Sequence, residues 1–207
     1  MAKIQTARSE PKSWFSTILP YLLIIGGVIG LICSFIISQD KIVLLENPHF
    51  VPTCDLNPVI SCGSVMKSPQ GSVFGFPNPW IGLAAFAIFV VIGAGILAGA
   101  QFKRWFWLAF EAGVTLGLAF AYWLLFESVY RIKALCPYCL MVDVVLIATS
   151  WYLTLYLIGA GHIILPARLK GAAAFARKHH AEILIIWFLL LIAVILQHFW
   201  YYYGQYL

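Results

Sequence analysis

The chain has 207 residues, 62% of them hydrophobic and only 10% charged, with a mean hydropathy of +0.91. That balance excludes an ordinary soluble domain and describes a chain that lives in a membrane. The formal net charge of +5 calls for no nucleic-acid partner, because the positions of the cations follow from how such a chain inserts.

Windows of roughly 20 apolar residues, enough to cross a ~30 Å hydrocarbon core as helix, predict five spans at residues 18–38, 80–100, 105–127, 136–158 and 183–203. Membrane β-strands would be about 10 residues long and would alternate in polarity. These runs are longer and apolar on every face, so the predicted fold class is an all-α integral membrane protein of a single membrane domain, residues 1–207. Lys3, Arg8 and Lys12 in the tail 1–17 resemble the n-region of a secretory signal. The apolar run behind them is too long for an h-region and lacks a small-x-small cleavage site, so it reads as an uncleaved anchor helix. Cys33 lies near the outer end of that span and reads as a small buried apolar side chain.

Residues 39–79 form the longest polar stretch, with Pro48, Pro52, Pro58, Pro69 and Pro77 inside it and Pro79 at its end, which argues against long regular helix. Long loops of this kind are usually functional or disordered, and Cys54 and Cys62 in this one favour function. The second and third spans are joined by the tight turn 101–104. A short connection, 127–135, leads to "LCPYCL", and a basic loop, 159–182, leads to the last span and the aromatic C-terminal "HFWYYYGQYL". Gly26/Gly30, Gly95/Gly99 and Gly113/Gly117 have the small-xxx-small spacing of close helix packing. With the N-terminus inside, nine Lys and Arg side chains fall on the cytoplasmic face and four on the outer face, as the positive-inside rule requires. The predicted topology is therefore N-in and C-out.

Under this topology Cys54, Cys62, Cys136 and Cys139 all lie on the outer side, where disulfides persist. A Cys-Pro-Tyr-Cys opening a helix is chemically specific. Unpaired N–H groups and the helix dipole stabilise a thiolate at Cys136, the thiolate is the reactive form, and Pro137 suits a first helical turn. The spacing lets the two sulfurs join in an exchangeable disulfide. At the membrane edge, such a pair faces water-side thiols on one side and a lipid-soluble electron carrier on the other. Two other readings of the four cysteines are a zinc site, for which Cys54-x7-Cys62 is too open a half-motif, and structural disulfides that clamp the loop. His49, His162, His179, His180 and His198 are scattered over separate loops and ends, so no metal site is expected.

The stretch "CDLNPVISCGSVMKSPQGSVFGFPNPWIGL" at 54–83, followed by "CPYCL", resembles the vitamin K epoxide reductase family, and its bacterial members in particular. The resemblance covers the first four spans, roughly residues 15–158. It implies a four-helix bundle around a quinone, either menaquinone or ubiquinone, with a fifth helix beside it. Cys54 and Cys62 match the family's shuttle pair, and Cys136 and Cys139 its active-site pair, with Cys139 nearest the quinone. Ser68 and Asn78 match polar residues near that site, and Asn78 would donate to a quinone oxygen. Phe74, Phe76 and Trp80 are candidates for an apolar quinone wall. The implied partner is a thioredoxin-fold thiol–disulfide protein on the outer side of a bacterial inner membrane. Since this chain stops at Leu207, that partner is expected as a separate protein. Vertebrate members carry a Tyr seven residues after the first cysteine of the motif, where this chain has Asp143.

Asp143 shares one helix face with Cys136 and Cys139. A carboxylate in hydrocarbon is costly and is a functional candidate by default. It reads either as a proton relay for the quinone or as a second-turn acid favoured by the helix dipole. Glu111 is the other acid within a span and reads as packing-satisfied or snorkelling. The expected activity is disulfide generation. Two alternatives are reduction of a quinone or its epoxide with thiols as reductant, and a non-enzymatic scaffold with structural disulfides.

Overall fold

The computed structural model describes residues 14–204; Lys3, Arg8, Lys12 and the final three residues lie outside them. Among the described residues, five helices are long and apolar enough to cross a membrane: α1 (Trp14–Glu46), α3 (Pro79–Leu97), α4 (Arg104–Phe126, continued by a π-helical turn, Glu127–Ile132), α5 (Pro137–Gly159) and α7 (His180–His198). Shorter helices are α2 (Cys62–Lys67), α6 (Ala167–Lys178) and α8 (Trp200–Tyr203). The described residues contain no strand, only one isolated parallel bridge between Ile60 and Leu135. The chain is an all-α integral membrane protein.

Helix starts follow local chemistry. Pro79 and Pro137 occupy the first turns of α3 and α5, where a missing N–H costs nothing. Ser61 caps α2 by accepting from the Ser64 amide at 3.1 Å.

α1 is the central staff, packed most extensively on α3 and then on α5, while α4 lies against α5. Glycine sets its approach to α3: a Cβ at Gly30 would stand 2.4 Å from the Phe86 ring, and one at Gly27 would meet Val90 at 2.8 Å. Gly113 faces open space, so the small-residue spacing at 113/117 does not mark a tight seam as that at 26/30 does. The core between the spans is built from Leu19, Leu23, Phe86, Phe89, Ile147 and Leu153. α7 has no buried residue and lies at the bundle's periphery.

Two elements depart from the sequence expectation. α1 runs to Glu46, eight residues past Ser38. The added turns bury Leu44 beneath the loop, in line with Ile37, and neither Gly nor Pro interrupts them before Pro48. At about 50 Å, α1 outreaches the ~30 Å hydrocarbon layer. The basic loop 159–182 is also largely helical, because its alanine-rich segment forms α6.

Candidate active site

The segment from Asn47 to Asn78 folds over the C-terminal end of α1 and the N-terminal end of α5 as a compact cap. Asn57 turns the chain, its side-chain oxygen accepting from the amides of Val59 (2.9 Å) and Ile60 (2.7 Å). The chain then pairs with the residues before α5: the Ser61 amide donates to the Leu135 carbonyl at 3.0 Å, and the Leu135 amide to Val59 at 2.7 Å. Asp55 accepts from the Gly63 amide at 2.8 Å. The Lys41 ammonium, on the extended part of α1, donates to the Met66 carbonyl at the end of α2. Both ends of α2 are thus fixed.

Within this cap Cys54 and Cys62 form a disulfide, and Cys136 and Cys139 are free thiols. The Cys136 thiol donates to the Cys62 sulfur at 3.3 Å. Ile37, Leu44, Met66, Phe50 and Val65 enclose the sulfurs, leaving Cys62 0%, Cys136 2% and Cys54 7% exposed. Cys136 caps α5 just outside the span. A hydrogen bond with Cys139, helped by the amides of Cys139 and Tyr138, holds its thiol below the ordinary range despite burial and the Asp143 charge.

Inward of the thiols lies a cavity of about 190 Å³ between α1, α3, α4 and α5. Cys136, Cys139, Asn78 and Asp143 all line it, against walls of Ile37, Phe86, Phe120 and Leu124. The Asn78 amide donates to the Gln70 carbonyl (2.7 Å) and accepts from Val73 (3.1 Å), leaving one N–H free of these bonds. The other candidates stand elsewhere. Ser68 donates to Val65 at 2.6 Å and so terminates α2 without lining the cavity. Phe74, Phe76 and Trp80 stack in series with centroids 6.1 Å apart, exposed outside the cavity, where Phe74 touches the lining residue Phe120. Glu111 accepts from Thr154 at 2.5 Å, away from the cavity lining.

Sequence reasoning missed three residues here. Lys41 also lines the cavity; its spacing from Ile37 and Leu44 on one helical face was the available signal. Glu127 is 2% exposed, paired with Arg131 at 3.3 Å and accepting from Gln70 at 3.1 Å. The spacing of Glu127 and Arg131 was visible, but the partner 57 residues away was not. Gln70 links that acid to Asn78 through its own backbone carbonyl.

The residues that build the cap, the two cysteine pairs and most of the cavity wall are also those that a comparison with known families covers. The family model for the vitamin K epoxide reductase family matches residues 21–155. The chain belongs to the vitamin K epoxide reductase family. The match runs from α1 through the cap to α5, which is the whole of the site; α6, α7 and α8 lie beyond it. Membership makes the chain a membrane oxidoreductase of thiols and disulfides in a family whose members use quinones. Among curated proteins no sequence matches it.

Proposed function

We propose that the protein generates disulfides: it takes two electrons from a reduced thioredoxin-fold partner outside a bacterial inner membrane and delivers them to menaquinone or ubiquinone. The observation that carries this reading is the 3.3 Å contact between Cys62 and Cys136, which joins a loop disulfide to a dithiol at a cavity.

The partner's thiolate attacks the Cys54 sulfur, forming a mixed disulfide and releasing Cys62 as thiolate. The partner's second thiol then resolves that bond and frees Cys54. Cys62 attacks Cys136 of the Cys136–Cys139 disulfide, and Cys139 leaves as thiolate. Cys54 next attacks Cys62, restoring the Cys54–Cys62 bond and leaving Cys136 and Cys139 reduced. That last state has the cysteine pairing of the structure. Return of the inner pair to the disulfide releases two electrons and two protons, which a quinone accepts on becoming a hydroquinone.

The residues present fit a quinone ring. An apolar cavity of about 150 Å³ suffices for benzene, so 190 Å³ takes one substituted ring, and the free N–H of Asn78 is a donor for a carbonyl oxygen. Asp143, four residues beyond Cys139 and lining the same cavity, would receive a thiol proton. The outer orientation of the site is supported by the basic residues of the opposite end, among them Lys103, Arg104, Arg168 and Lys170.

The test is turnover of the purified protein with a reduced thioredoxin-fold dithiol protein and a soluble quinone, following quinone absorbance. One disulfide formed per quinone reduced, abolished by Cys139→Ser, supports the proposal. No turnover with any quinone, or oxidation of the partner that survives Cys139→Ser, refutes it.

A further inference from the structure

At the end of the bundle opposite the cysteines, α6 joins two membrane spans and therefore lies at the membrane surface. It carries Arg168, Lys170, Arg177 and Lys178 and no acid. Among the described residues the ion pairs are Arg131 with Glu127 and His179 with Glu182, so none of these four cations has a carboxylate partner.

Two of the four are built into a groove. Lys170 and Arg177 are seven residues apart, about 10.5 Å along the axis and on one face, and Ala173 and Ala174 between them give that face a low floor. The facing wall is the last turn of α5 and the segment after it, with Ile158, Ile163 and Ile164, and the open groove between them has a volume of about 340 Å³. Arg177 is held in place: its guanidinium stands 5.4 Å from the Phe15 ring centroid and covers Gly159, where a Cβ would meet it at 3.0 Å. Ile164, Leu169 and Phe175 are exposed around the groove, as on a helix seated in the lipid interface. A groove with a cation at each end, an apolar wall and no acid among the described residues that line it suits an amphiphile with one negative charge.

We propose that this groove binds an anionic phospholipid of the surrounding membrane, its phosphate between Lys170 and Arg177 and the start of an acyl chain against Ile158 and Ile163. The site is separate from the cysteine cavity and does not depend on the reaction proposed there.

Native mass spectrometry of the protein released from phosphatidylglycerol or phosphatidylcholine nanodiscs tests this. One phosphatidylglycerol should be retained in preference to phosphatidylcholine. Lys170→Gln should weaken retention about fivefold, the factor expected for one basic residue at a charged lipid surface. Ala174→Leu, which fills the groove and keeps its charge, should weaken it too, whereas Arg168→Gln, off the groove, should not. Circular dichroism of each variant secures that the fold is intact. Equal retention of phosphatidylcholine would reduce the site to ordinary lipid contact. Equal losses in Arg168→Gln and Lys170→Gln would leave only diffuse attraction, and displacement of lipid by inorganic phosphate would make a free anion the ligand. Each of these overturns the proposal.

Discussion

The amide of Ser61 donates to the carbonyl of Leu135 at 3.0 Å, and each of these residues immediately precedes one of the two cysteines whose sulfurs meet. This short parallel bridge fixes where a long proline-rich loop holds its disulfide. Its register brings Cys62 against Cys136, and a shift by one residue would turn the side chains to opposite faces.

With the resolving thiol removed in Cys54→Ser, the exchange should therefore stop at a Cys62–Cys136 disulfide. Non-reducing peptide mapping should find that bond. A bond from Cys62 to Cys139 or Cys33 instead would show that the bridge does not set the reacting pair.

The Cys136 thiol is held below its ordinary pKa chiefly by the hydrogen bond from Cys139. A lowered pKa means that more thiolate is present at a given pH, so the ultraviolet thiolate absorbance, which needs no reagent to reach a sulfur 2% exposed, should appear at lower pH than for a free thiol. Cys139→Ala removes the donor but leaves the burial that opposes ionisation, and that absorbance profile, followed in a Cys33→Ala background, should move to higher pH. A profile that stays in place would assign the effect to the backbone amides.

Glu127 holds Gln70, and Gln70 holds Asn78. Glu127→Leu leaves the Gln70 amide without its carboxylate and should cost about 1–3 kcal/mol of stability, read as a lower unfolding temperature in detergent. Turnover should show a raised KM for quinone with a smaller change in kcat, since the damage reaches the cavity through Asn78 and not through the cysteines.

Gly30 and Gly113 form a matched pair of opposite sign. Gly30→Ala drives a Cβ into the Phe86 ring and should destabilise by about 1–3 kcal/mol. Gly113→Ala meets nothing within 4 Å inside a helix and should stabilise by about 0.5–1 kcal/mol. Unfolding of both variants in one detergent compares them directly.

The spans were legible because a ~30 Å hydrocarbon layer imposes a length and composition that no local accident imitates, and Pro137 announced the start of α5. The end of α1 was not, because Gln39, Asp40 and Lys41 lower hydropathy without breaking a helix. Local chemistry identified the Cys-Pro-Tyr-Cys, while the bridge from Ser61 to Leu135 joins positions 74 residues apart and has no local signature. Ser68 and the Phe74–Phe76–Trp80 row show the limit of reading side chains by type: a hydroxyl and three rings near a site were spent on ending a helix and lining its outside.

The enclosure of the sulfurs has one more consequence. With Cys54 at 7% and Cys62 at 0% exposure, a small thiol diffusing past has almost no sulfur to strike. Under the function proposed above, the cap would work as electrical insulation, keeping stray reductants from short-circuiting into the acceptor and making admission of electrons a matter of protein recognition.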